Sequence, residues 1–371
     1  MPVPLLDLRA QHATLRDSML RALTEHIDTQ HFILGEPVAE LEREVAELSH
    51  TRFAVGCASG TDALLLALRA LDVGPGDEVV TTPFTFFATA GAIHNVGARP
   101  VFADIDEATF NLEPELATGA VTPRTKAVIP VDLFGQVAAI ERFRAFLPEL
   151  PIIEDAAQSV GARRQIDGEW TVAGERATIG TLSFFPSKNL GGYGDGGMLL
   201  TQDESLATRL RRLRVHGGMQ QYHHDEVGYN SRLDALQAVV LRTKLPHLAA
   251  WSAARRDHAS YYDRAFADVP EVRTPVIEPV SECIYNQYTL RVERRDALQN
   301  ALEAEGIGSA IYYPLPLHLQ PCFSYLGYAE GAFPVAERAT REVLSLPVYP
   351  ELTRAQQDQV IGAIRRFYGH A

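Results

Sequence analysis

The sequence predicts a doubly wound α/β fold. Strand-like runs recur with helical segments between them, and several of these runs are apolar throughout, as strands covered on both faces must be. The chain, at 371 residues, is also long enough for a large domain with a smaller one. In order, a helix plus an extended arm fills the first ~30 residues, followed by strand candidates at 53–57, 78–83, 100–104, 127–131, 152–154, 181–185 and 198–201. The clearest intervening helix is 61–71, rich in Ala and Leu and stopped by Val73-Gly-Pro-Gly76 in the Gly-then-Pro order of helix ends. Past Leu245-Pro246 the pattern changes to a helix at 249–267, shorter strand candidates at 288–292 and 310–313, and a closing helix at 354–368. The expected division is a large α/β domain over residues 1–245 and a smaller α+β domain over 246–371.

Composition narrows the function classes. Hydrophobic residues make up 46% and the mean hydropathy is near zero, and no apolar run reaches the ~18 residues that span a bilayer. The N-terminus lacks the basic region, apolar core and small-residue cleavage site of a signal peptide, so a cytoplasmic protein is expected. Cys57, Cys283 and Cys322 lie far apart and form neither a disulfide framework nor a zinc pattern, so reduced and mostly buried thiols are expected. A net charge of -13 argues against a nucleic-acid partner, and the basic run Arg209-Leu-Arg-Arg-Leu-Arg214 reads as the solvated face of an amphipathic helix.

The most informative residue is Lys188. It follows the strand candidate at 181–185 and precedes the glycine-rich run Gly191–Gly197, which leaves room for a flat ligand. A lysine held at a strand end is placed to condense with a carbonyl. Upstream, Glu154-Asp-Ala-Ala-Gln158 closes another apolar strand and sets an acid and an amide at its carboxyl end. That pairing suggests pyridoxal phosphate, whose ring nitrogen needs a carboxylate in contact to stay protonated, a contact that would in turn lower the pKa of Asp155. Ala58-Ser-Gly-Thr-Asp62 opens a helix after a strand and fits an anion site, although on its own the motif is better explained by Ser59 or Thr61 as a plain helix cap. The G-x-G-x-x-G in Gly192–Gly197 leads into a strand and lacks the later acid, which excludes a dinucleotide fingerprint. His216, His223 and His224 show no ligand spacing with a third residue, so no metal is expected.

With these pieces in order, the chain resembles the sugar aminotransferases of the DegT/DnrJ/EryC1/StrS family, pyridoxal-phosphate enzymes of fold type I. The motifs are Ser59-Gly-Thr-Asp-Ala-Leu64, Pro83-Phe-Thr-Phe86, Glu154-Asp-Ala-Ala-Gln-Ser159, Phe185-Pro-Ser-Lys-Asn-Leu190, Gly194-Asp-Gly-Gly197 and Gly228-Tyr-Asn-Ser-Arg232, within a likeness running from Phe32 to Gln320. The resemblance implies a seven-stranded, mostly parallel sheet between helices. It implies Lys188 as the lysine that carries pyridoxal 5'-phosphate, Asp155 at the pyridine nitrogen, Gln158 at the phenolic oxygen and Phe86 stacked on the ring. Gly60, Thr61 and Ser183 are implied phosphate ligands, with Asn230 reaching the same phosphate from the neighbouring subunit of a homodimer. Tyr312, Tyr313 and His318 match a segment that lines the sugar pocket, although a Tyr-Tyr-Pro run is also good strand-edge packing.

The implied reaction converts a keto group of a nucleotide-linked deoxysugar, at C3, to an amine with glutamate as donor, in amino-sugar and polysaccharide biosynthesis. Two alternatives stay open: a sugar dehydratase using the same cofactor, which the presence of Lys188 rather than histidine disfavours, and a cofactor-binding regulator without turnover. Two departures from the commonest pattern are glycine at 191 and 192, and Glu36-Pro37 where Pro-Glu is frequent.

Overall fold

The computed structural model describes every residue except Met1, Gln221 and Ala371. Its strands, in chain order, are β1 (Phe53–Cys57), β2 (Glu78–Thr81), β3 (Arg99–Phe102), β4 (Thr125–Ile129), β5 (Ile153–Asp155), β6 (Arg163–Ile166), β7 (Glu169–Val172), β8 (Ile179–Ser183), β9 (Gly197–Thr201), β10 (Val272–Arg273), β11 (Ser281–Glu282), β12 (Tyr288–Val292) and β13 (Val343–Leu346).

Seven of them build one sheet. The order β1-β9-β8-β5 continues through the parallel bridges Val128–Ile152 and Val131–Asp155 into β4-β2-β3. Only β9 runs against the others, since it is antiparallel to both β1 and β8 while β8-β5, β4-β2 and β2-β3 are parallel. The seven sequence-derived strands are these seven, displaced by no more than two residues at their starts. Burial explains their apolar character. In β9, Met198 and Leu200 pack with Val38, Leu41 and Leu241 on one face, and Leu199 packs with Leu64, Leu66 and Ala67 of the Gly60–Ala70 helix on the other. A strand clad on both faces has no solvent side to mark by alternation.

The C-terminal sheet has the order β10-β12-β13 and packs against the Leu248–Phe266, Arg295–Ala304 and Arg354–Tyr368 helices. The last of these starts with a capping box between Thr353 and Gln356 and ends on Gly369 in the left-handed conformation. We propose that the two-part division follows the turn Leu245–His247, which joins the Ala235–Lys244 and Leu248–Phe266 helices. Val3 departs from it: the residue is fully buried in the C-terminal core and bridges to Ile307.

Three expectations need correction. Residues 310–313 form no strand; Ala310 makes a single bridge to Ser345 and the chain then turns. The β6-β7 hairpin is missed, although its signal is present in Asp167-Gly168, both at positive φ as a two-residue hairpin turn requires. The basic run is ion-paired rather than solvated: Arg209 meets Asp72 and Glu226, Arg212 meets Glu226, and Arg214 meets Glu42. Cys57 and Cys283 are buried and Cys322 is exposed. Among the described residues, no helix is long and apolar enough to cross a membrane.

Candidate active site

The parallel strands β5 and β8 end side by side, with Asp155 paired to Thr181 in the register. This places the exits of both strands on one edge, where open α/β sheets bind ligands. Asp155 is buried. Its Oδ2 accepts from Thr89 Oγ1 at 2.8 Å and its Oδ1 from the Ala157 amide at 3.3 Å. Burial pushes this carboxyl above its usual value, while Thr89, the Ala157 amide and Lys188 pull it back. The protein's own groups therefore do not produce the lowered value expected from the sequence; a cation held against the carboxylate would reverse the direction.

Lys188 lies in the loop after β8, its amide bonded to the Phe185 carbonyl at 2.8 Å. Burial pushes its ammonium down to about 8, against an opposing pull from Asp155. A lysine so shifted is partly neutral, and nucleophilic, near neutral pH. The loop packs tightly behind it. A Cβ on Gly191 would sit 2.3 Å from the Pro186 carbonyl oxygen, so glycine is required there, and one on Gly192 would lie 2.7 Å from the end of the Gln237 side chain. Buried Lys244 donates to the Gly191 carbonyl at 2.7 Å and stacks its Nζ 4.6 Å from the Tyr193 ring centre.

Across β9, the Gly60–Ala70 helix points its first turn at the end of β8. Ser59 caps it by accepting from the Asp62 amide at 3.1 Å, so the cap reading of this motif holds. The Gly60 and Thr61 amides have no partner among the described residues, which leaves them free for an anion as well. A Cβ on Gly60 would lie 2.7 Å from the Ser183 Cβ, so only glycine lets the helix start approach Ser183.

Gln158 follows β5 and joins two segments. Its Oε1 accepts from the Phe134 amide at 2.6 Å and its Nε2 donates to the Tyr313 hydroxyl at 3.2 Å. The Tyr313 ring lies 6.2 Å from Phe84 and 6.3 Å from Phe86, and Phe86 is 58% exposed. Tyr312 is half-buried beside it. These residues come together around Asp155.

Two predicted residues stand apart. Asn230 is exposed, while its neighbour Ser231 donates to Asp62 Oδ2 at 2.6 Å and accepts from the Ala58 amide at 3.3 Å. His318 is 2% exposed, paired with Glu337 at 3.0 Å and packed edge-on against Phe333 at 4.8 Å. His318 lies in the 317–319 turn, its Nδ1 buried without a partner among the described residues.

Two groups went unread in the sequence. Thr89, the direct partner of Asp155, sits in a helix start with nothing to distinguish it. Beneath the site lie two buried carboxyls: Asp132 accepts from the Ala138 amide and the Ser159 hydroxyl, and Glu154 from the Gly174 amide. Burial raises both carboxyls, Asp132 to about 6 and Glu154 well above its usual value.

Comparison with known proteins fits this geometry. The profile of the DegT/DnrJ/EryC1/StrS aminotransferase family matches residues 13–365. The chain is 49% identical to the pleiotropic regulatory protein of Geobacillus stearothermophilus, over 100% of both chains. It is 48% identical to the UDP-N-acetyl-3-dehydro-alpha-D-glucosamine 3-aminotransferase of Acidithiobacillus ferrooxidans, over 98% of this chain and 97% of that one. Among solved structures, S. venezuelae DesV in complex with a ketimine intermediate superposes with a TM-score of 0.96 at 41% identity, covering 100% of this chain and 99% of that one. The chain belongs to the DegT/DnrJ/EryC1/StrS aminotransferase family.

Proposed function

We propose that the protein is a pyridoxal-phosphate-dependent aminotransferase that aminates the 3-keto group of a nucleotide-linked sugar with glutamate as donor. The observation that carries this is the pairing of a buried Asp155 with a lysine whose ammonium is lowered to about 8, at the adjoining ends of two parallel strands. The 3-aminotransferase relative and the solved ketimine complex support the reaction and its position.

The residues fit the cofactor. Asp155 offers a buried carboxylate short of a counter-charge, the Gly60 and Thr61 amides and the Ser183 hydroxyl offer donors to a phosphate, and the closeness of Gly60 to Ser183 forms a cradle that a Cβ would fill. Phe86 offers an exposed ring and Gln158 an amide. When bound, pyridoxal phosphate supplies an aldehyde that condenses with amines and a ring that withdraws electrons from the neighbouring carbon.

Lys188 Nζ, neutral in part, would hold the cofactor as a nucleophile and, as a free amine, would be the base that lifts a proton from the donor carbon and returns it one position over. Thr89 and the Ala157 amide fix the Asp155 carboxylate, so its charge is in place before reaction and costs no reorganisation. Gln158 links the β5 exit to Tyr313, which holds the 312–313 segment against Phe84 and Phe86.

Purified protein loaded with pyridoxal phosphate should be yellow and bleach on adding glutamate. Matched 3-keto and 4-keto nucleotide sugars then test the position, because a one-carbon shift displaces the reacting carbonyl by more than attack geometry tolerates. Preference for the 4-keto sugar overturns the C3 reading alone. The regulatory name of one relative favours a second reading, binding without turnover; failure to bleach with any amino acid supports it.

A further inference from the structure

Arg255, in the Leu248–Phe266 helix, is 3% exposed and has no carboxylate within ion-pairing distance among the described residues. Its Nη1 donates to the carbonyls of Tyr285 at 3.1 Å and Val348 at 2.8 Å, and its Nε is buried without a partner. The acid that acts on it, Glu351, does so from beyond salt-bridge contact and keeps an unpartnered oxygen of its own. A buried guanidinium in this state calls for an anion. Two neighbouring residues also carry unpartnered buried atoms, Asn286 Oδ1 and Gln287 Oε1. Arg255, Asn286 and Gln287, with Ser187, Tyr312 and Ser345, line a cavity of about 50 Å³.

The cavity adjoins the proposed site along two segments. Ser187 is exposed and directly precedes Lys188; Tyr312 directly precedes Tyr313, the partner of Gln158. Its volume suits a few waters or one carboxylate. Either amide can turn its NH2 inward, since oxygen and nitrogen are interchangeable positions in the side chain. The anion site proposed for the cofactor phosphate lies elsewhere, at Gly60, Thr61 and Ser183, so an anion held here would be a different one.

We propose that this cavity is a carboxylate subsite for the amino-acid donor, with Arg255 supplying the charge and the amides of Asn286 and Gln287 the flanking donors. The assignment rests on the aminotransferase reading above, because that reaction brings a carboxylate to Lys188 at each turnover.

The probe is glutarate, a dicarboxylate with no amine to react, titrated calorimetrically into the cofactor-loaded enzyme. Wild type should bind it. Arg255→Met, and Asn286→Asp, which leaves both carbonyl bonds of Arg255 intact and sets a negative charge in the cavity, should each weaken glutarate at least ten-fold and raise the KM for glutamate by a similar factor. Should Arg255→Met fail to fold, Asn286→Asp decides alone. Undiminished glutarate binding by Asn286→Asp, or no binding by a wild-type enzyme that bleaches with glutamate, overturns the subsite and leaves the aminotransferase standing. A wild type that binds glutarate with the expected loss in both variants, yet bleaches with no amino acid, upholds the subsite and removes the transamination.

Discussion

Thr89 Oγ1 donates to Asp155 Oδ2 at 2.8 Å, and Thr85 stands 3.1 Å behind it, so the carboxylate at the end of β5 is held by a hydroxyl from a neighbouring segment. This bond favours the ionised acid against the pull of burial. Thr89→Val should therefore slow the single-turnover reaction with glutamate about ten-fold, the worth of one hydrogen bond to a charged group, with Thr89→Ser close to wild type. Stopped-flow absorbance measures it, and an unchanged rate in the valine variant would remove Asp155 from the charge-holding role.

Lys188 sets a pH dependence. Its ammonium is pushed down to about 8, and only the neutral amine attacks an aldehyde. The rate at which colour develops on adding pyridoxal phosphate to cofactor-free protein should rise with pH and level off above about 8. Asp155 opposes the shift, so Asp155→Asn should move the midpoint lower. A wild-type midpoint near the ordinary lysine value would contradict the low-dielectric setting, and Lys188→Ala should develop no stable colour at all.

The Asp132–Glu154 pair predicts an effect on stability alone. Both carboxyls are raised, so the folded protein binds more protons than the unfolded chain, and the pair's contribution is full below the unfolded values and lost as pH rises through the folded ones. Glu154→Gln keeps the hydrogen bonds and should flatten the fall in stability above about pH 4.5. Glu154→Ala leaves the Gly174 amide unpartnered and should cost about 1–3 kcal/mol in denaturant unfolding.

If Asn230 serves the site of a second copy, a mixed dimer of Lys188→Ala and Asn230→Ala chains regains one site with both residues intact. Its activity should exceed that of either variant alone. No recovery places Asn230 in its own chain's site or outside any site.

The large sheet was legible because strands buried on both faces stay apolar throughout, as Val79, Val80, Leu199 and Leu200 do. The direction of β9 was not, since an apolar run reads the same both ways. Lys188, Asp155, Gln158, Gly60 and Ser183 stood out as polar or glycine residues at strand and helix ends. The bond between Gln158 and Tyr313 joins positions 155 residues apart and leaves no local trace. For His318, the composition of its segment does not say which way the ring turns, and Glu337, which holds it, lies in another helix.

The burial of Val3 in the C-terminal core bears on how the chain is made. Its amide bonds to the Gly306 carbonyl at 2.9 Å, and the Gly308 amide bonds back to the Val3 carbonyl at 2.7 Å. Val3 must therefore wait for the chain around Gly306 and Gly308 before it finds its place. Closure over so long a loop is slow. Until that stretch is made, a nascent chain carries Val3 without its cover, and this is the stage at which a chaperone would be most needed.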